Sequence, residues 1–124
     1  MTAKKILIVD DNDKNRKLLR VILQRVGYDV HEAEDGAQGI EAAKRERPDL
    51  ILMDYRMPVY DGIQATRILK ADAITSHIPV FIVTSSVMKG DTERIVRESG
   101  CDQFFSKPID YRVILDAVQK RLGG

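Results

Sequence analysis

The sequence predicts a single α/β domain, a parallel sheet with helices on both faces. Three observations point there. Short apolar runs alternate with longer amphipathic stretches, five of each in strict order. Three of those runs are continuously apolar and rich in β-branched residues, as strands covered on both faces are. The length, 124 residues, suits one domain.

Ile6-Leu7-Ile8-Val9 is the first continuous run, and Leu50-Ile51-Leu52-Met53 and Val80-Phe81-Ile82-Val83 are the others. They belong at the centre of the sheet. Tyr28 to Ala33 alternates apolar with polar, the pattern of a half-exposed edge strand. Gln103-Phe104-Phe105-Ser106 is a weaker fifth strand, at the other edge. Between them, Leu18, Leu19, Ile22, Leu23 and Val26 recur at helical spacing, with Gly27 as a stop. Ala37, Ile40 and Ala43 form a second stripe that ends before Pro48. Ile63, Thr66, Ile68 and Leu69 mark a third helix opening at Asp61-Gly62. Residues 91–99 hold only Ile95 and Val96 as apolar side chains, so the fourth helix is thinly anchored. Ile114, Val118 and Leu122 give the fifth, with Asp110 as N-cap.

Composition narrows the function classes. The 44% hydrophobic and 31% charged residues are those of a folded globular domain. The net charge of +1, with both signs mixed along the chain, provides no basic stripe for nucleic acid. The N-terminal apolar run is too short for a signal peptide or a membrane span, which makes the cytoplasm the expected location. The lone Cys101 excludes an internal disulfide and reads as a packed residue in a reducing compartment.

In an open parallel sheet, ligands bind beyond the carboxyl ends of the strands. Asp10-Asp11 follow the first strand, Asp54 the third, Thr84-Ser85 close the fourth, and Lys107-Pro108 follow the fifth. Asn12 or Asp13 suffices to cap the first helix, which leaves Asp10 and Asp11 without a structural task. Three carboxylates on one rim repel one another unless a cation joins them. All the donors are hard oxygens, with no paired His or Cys, which selects Mg²⁺ (or Mn²⁺) over zinc. A carboxylate beside such a cation can attack phosphorus and form an acyl phosphate. Lys107 would add a point charge and Thr84 a hydroxyl hydrogen bond to the phosphoryl oxygens. His31 and His77 lie outside the acidic motifs and read as surface or packing residues.

Four motifs now stand in order: Ile6-Leu7-Ile8-Val9-Asp10-Asp11-Asn12, Asp54-Tyr55-Arg56-Met57-Pro58 with Asp61-Gly62, Thr84, and Ser106-Lys107-Pro108. Over essentially its whole length, 1–124, the chain resembles the receiver domains of two-component response regulators. The resemblance implies a flavodoxin-like doubly wound sheet in strand order 2-1-3-4-5, with no effector domain following. It implies that Asp54 accepts a phosphoryl group from a phosphohistidine on a histidine kinase or histidine phosphotransfer protein. Asp11, Asp54 and the backbone carbonyl of Arg56 would ligate Mg²⁺, and Asp10 would act through water. Lys107 would bind the phosphoryl oxygens, Thr84 would move towards them, and Phe104 would turn inward behind it. Output would then pass to a downstream protein through the fourth helix, fifth strand and fifth helix, with no nucleic acid or membrane involved.

Phe104 departs from the Tyr often found at that position, so its rotamer rests on packing alone. Met88-Lys89-Gly90-Asp91, Gly100-Cys101-Asp102 and Ser106-Lys107-Pro108-Ile109 resemble single-domain regulators of the cell-division type, and similar strings occur in receivers of hybrid kinases. Two rival readings are weaker. An aspartate-nucleophile phosphohydrolase needs a second acid two residues after the nucleophile, where this chain has Arg56. An FMN site would want a Ser/Thr/Gly-rich loop after the first strand, where Asp10 to Asp13 would repel phosphate.

Overall fold

A computed structural model describes residues 3–84, 91–106 and 110–123. Five strands, β1 (Lys5–Val9), β2 (Asp29–Ala33), β3 (Leu50–Met53), β4 (Val80–Thr84) and β5 (Gln103–Ser106), alternate with five helices. These are α1 (Asp13–Arg25), α2 (Gly36–Glu46), α3 (Gly62–Ala71), α4 (Asp91–Ser99) and α5 (Tyr111–Leu122). All strand pairs are parallel, in the order β2-β1-β3-β4-β5. The expected architecture is therefore the observed one, with the alternating strand and the weak Gln103–Ser106 strand at the two edges.

Successive strand residues point to opposite faces, and the core divides accordingly. Leu7, Val9, Ile51, Met53, Val80 and Ile82 pack beneath Ile40 and Ala43 of α2, Ile63 and Leu69 of α3, and Ile95 of α4. Ile6, Ile8, Leu50, Leu52, Phe81 and Val83 pack beneath Leu19 and Leu23 of α1 and Ile114 and Val118 of α5. The continuous apolar strands are thus each read from both sides.

The helix ends follow their capping chemistry. Asn12 Oδ1 accepts the Asn15 N–H at 3.0 Å, so Asn12 caps α1. Asp61 and Gln64 exchange side chain-to-backbone hydrogen bonds in a capping box that opens α3. Asp110 caps α5, as expected, and Asp35 caps α2. Gly27 takes φ +100° just after α1. The apolar stripes are narrower than their spacing implied: Leu18 of α1, Val26 just beyond it and Ile68 of α3 are exposed. One helix covers only part of a strand face, and these residues lie on its flank. Of the two apolar residues in α4, Ile95 is fully buried and Val96 exposed, which matches a thinly anchored helix.

Candidate functional site

The site lies where β1 and β3 run side by side and the chain departs in opposite directions. Main-chain hydrogen bonds continue past the strands: Asp10 N–H donates to Ala33 O at 3.1 Å, and Asp54 N–H to Val9 O at 2.9 Å. The second bond sets Asp54 beside the Val9-Asp10 peptide, in register with the first acidic motif. Asp10, Asp11 and Asp54 each then offer a carboxylate oxygen, and these oxygens lie within 4.8 Å of one another. Asp10 is buried, Asp54 half-buried and Asp11 exposed, so the cluster opens to solvent on one side.

The electrostatic consequence is large. Burial, then the Asp10 charge, push the Asp54 carboxyl from 3.8 up to about 7, although the Tyr55 and Arg56 N–H groups oppose the shift. Burial also raises Asp10, whose Oδ1 accepts the Asn12 N–H at 2.8 Å. These carboxylates repel without a counter-ion. The all-oxygen donor set, with one buried and one solvent-facing member, fits a hard divalent cation that retains waters. Asp54 Oδ1 also accepts the Tyr55 N–H at 2.8 Å, which fixes the carboxylate's rotation.

Three contacts support this geometry. Arg16, in the first turns of α1, is buried, with its Nη1 donating to the Asp10 carbonyl at 2.5 Å. The same guanidinium pairs with Asp13 on its own helix, with Glu32 at the end of β2 (3.3 Å), and with Glu34 (3.8 Å). It ties the carboxyl ends of β1 and β2 to α1, and only its i,i+3 spacing from Asp13 was visible beforehand. Gly62 is the second support. Its N–H donates to Tyr55 O at 2.7 Å, and a Cβ there would sit 2.6 Å from Asp54 O and 2.9 Å from Tyr55 Cα. Only glycine lets α3 close on the backbone that follows β3. The third is a hydrogen bond from Arg94 of α4 to the Tyr55 hydroxyl, 2.9 Å long.

The remaining expected residues divide. Thr84 is buried at the end of β4, opposite Ser106 of β5. Phe104 points to the α2–α4 face and packs, with Tyr55, Met57 and Cys101, against that core; Phe105 turns to the other face, its ring 5.9 Å from that of Phe81. Arg56 is exposed beside the cluster. Lys107 and Pro108, Ser85 and the 88–90 string lie outside the described residues. His31 sits 3.3 Å from Asp29 on the sheet edge and His77 is exposed, so neither joins the cluster.

The family model of the response regulator receiver domain matches residues 6–119. The chain is 41% identical over 120 residues to the polar-differentiation response regulator DivK of Brucella anthropi, covering 97% of each protein. It superposes on the receiver domain of the sensor histidine kinase PA1611 from Pseudomonas aeruginosa, a structure with magnesium coordinated in its active-site cleft. The TM-score is 0.88 at 32% identity, over 99% of this chain and 100% of that one. The chemotaxis protein CheY4 of Vibrio cholerae superposes with TM-score 0.86 at 25% identity, over 96% of this chain and 98% of that one. Among the described residues, no helix is long and apolar enough to cross a membrane. An acidic cluster at the β1–β3 switch point, on a sheet ordered 2-1-3-4-5, thus has close relatives in both sequence and structure: this chain belongs to the response regulator receiver domain family, the phosphorylation-dependent switches of two-component signalling.

Proposed function

We propose that Asp54 is the phosphoacceptor of this receiver, charged from a phosphohistidine on a histidine kinase or histidine phosphotransfer protein in the cytoplasm. The observation that carries the reading is the packing of three carboxylates from two adjacent strands within 4.8 Å. Asp11, Asp54 and the Arg56 carbonyl would hold Mg²⁺, with Mn²⁺ as the alternative, and Asp10 would act through water. Its bond to the Asn12 N–H occupies one of its oxygens, which supports that indirect role. A divalent cation bound there offsets the charge of the incoming phosphoryl oxygens.

The chain's own residues do the rest. An Asp54 oxygen forms the new O–P bond as the donor's N–P bond breaks, and the leaving imidazole takes up a proton. The Tyr55 N–H holds the carboxylate in one rotation for that attack. Thr84 donates a hydrogen bond, and Lys107 hydrogen bonds and a positive charge, to the oxygens of the new phosphoryl group, Lys107 on the strength of its Ser106-Lys107-Pro108 motif. Phe104 fills the space that Thr84 leaves, and the surface of α4, β5 and α5 passes the state to a downstream protein. The same residues assist attack of water on the acyl phosphate, so the protein resets without acting on a separate substrate.

Incubation with Mg²⁺ and acetyl phosphate, followed by intact mass measurement, tests the reading. A base-labile phosphoryl adduct is expected in the wild-type protein and not in Asp54→Asn. An adduct of equal yield in both proteins, or in neither, would overturn it.

A further inference from the structure

Phe104 has no hydroxyl with which to exchange partners between two rotamers. Polar coupling between the acidic cluster and α4 must therefore run through other atoms, and Tyr55 supplies them. Its N–H donates to Asp54 Oδ1 at 2.8 Å, and its carbonyl accepts the Gly62 N–H at 2.7 Å. Its ring packs on the α2–α4 side of the core, and its hydroxyl accepts from Arg94 Nη2 at 2.9 Å. Arg94 also faces Glu98, one turn along α4, with 3.8 Å between Nη1 and the carboxylate. It directly precedes Ile95, the buried residue of this helix. One residue thus touches the phosphoacceptor carboxylate through its backbone and the least apolar helix through its side chain.

We propose that the Tyr55–Arg94 hydrogen bond is a clasp that holds α4 in the resting state and is released when Asp54 is phosphorylated. The inference rests on Asp54 as phosphoacceptor and adds the route by which its state reaches α4. The bond from the Tyr55 N–H to an ionised carboxylate is charge-assisted; esterification to phosphorus removes the formal charge from the carboxyl group and weakens both of its oxygens as acceptors. The Tyr55 peptide loses its tie to the side chain before it, while Gly62 continues to hold the peptide after it. The aromatic ring pivots between the two, and its hydroxyl leaves Arg94. α4, anchored by Ile95 alone among its apolar residues, then loses a cross-link to the sheet. Tyr55 acts here as a positioning residue for α4.

Amide hydrogen exchange of residues 91–99, followed by mass spectrometry with and without Mg²⁺ and acetyl phosphate, tests the clasp. In the wild-type protein, phosphorylation is expected to speed exchange of this segment about tenfold, the value of one partly buried hydrogen bond to a charged donor. Tyr55→Phe, which keeps the ring, is expected to show that faster exchange before phosphorylation and to gain little from it. Arg94→Met cuts the same bond from the other side and is expected to match. Either of two results in the variants would overturn the clasp: exchange like wild type when unphosphorylated, or exchange that rises by an equal factor in both states, the mark of a merely structural contact. A wild-type adduct without any change in residues 91–99 overturns the clasp alone. Absence of the adduct overturns the phosphoacceptor reading and the clasp with it.

Discussion

Replacing Asp54 by Asn should stabilise the metal-free protein, although it removes the proposed phosphoacceptor. The Asn side-chain oxygen can still accept the Tyr55 N–H, so the local hydrogen bond survives. What disappears is a carboxylate that burial and the Asp10 charge hold at about 7 instead of 3.8. A carboxyl whose pKa is raised on folding lowers stability above its unfolded pKa, and the penalty grows until pH passes the folded value. Ionising it at pH 8 costs the folded state roughly 4 kcal/mol by the full shift. Solvent reaches the open side of the cluster and screens it, so about 2 kcal/mol is the expected gain for Asp54→Asn at pH 8 in EDTA. At pH 4.5 the gain should fall to about 0.5 kcal/mol, because the folded carboxyl is then protonated. Added Mg²⁺ at ten times its dissociation constant should return about 1.4 kcal/mol to the wild-type protein and narrow the gap at pH 8. Urea unfolding followed by circular dichroism reads all of these differences. A variant no more stable than wild type in EDTA at pH 8, or a gain that is the same at both pH values, would refute the electrostatic account.

Gly62→Ala forces a Cβ to within 2.6 Å of the Asp54 carbonyl oxygen, so the strand end must shift. A stability loss of about 1–3 kcal/mol by urea unfolding, together with weaker Mg²⁺ binding by calorimetry, is expected; unchanged binding would detach Gly62 from the site. Arg16→Met should cost about 1–3 kcal/mol by the same unfolding assay, since it strands the Asp10 carbonyl and removes the guanidinium that Asp13, Glu32 and Glu34 share, although Arg20 still pairs with Glu32. Val59 adopts φ +72° while 69% exposed, a conformation that disfavours a β-branched side chain. Val59→Gly should therefore raise stability by about 0.5–1 kcal/mol, the relief of strain exceeding the added backbone entropy, and differential scanning calorimetry would show the matching rise in Tm.

The sheet was legible because its central strands are apolar on both faces, a pattern that helices of this length do not share. The acidic cluster was legible for a related reason: parallel strands align their carboxyl ends, so residues that follow Val9 and Met53 in sequence are neighbours in space. Arg16 was not, because an arginine within a helix ordinarily reaches solvent. Its burial depends on Glu32 arriving from β2, a contact that α1 alone does not predict. The Tyr55–Arg94 bond spans 39 residues between a loop and the least apolar helix, and no periodicity links the two. The exposure of Leu18 and Val26 was equally hidden, since spacing tells which residues share a face but not how wide a face the sheet can cover.

The strand order also bears on how the protein is made. β2, β1 and β3 are contiguous in the sheet, and all three have been synthesised once the chain reaches Met53. Asp10, Asp11 and, one residue later, Asp54 therefore belong to the first half to emerge from the ribosome, whereas Thr84, Arg94 and Phe104 are added afterwards. The repulsion among the carboxylates is thus written into the half of the chain that is made first.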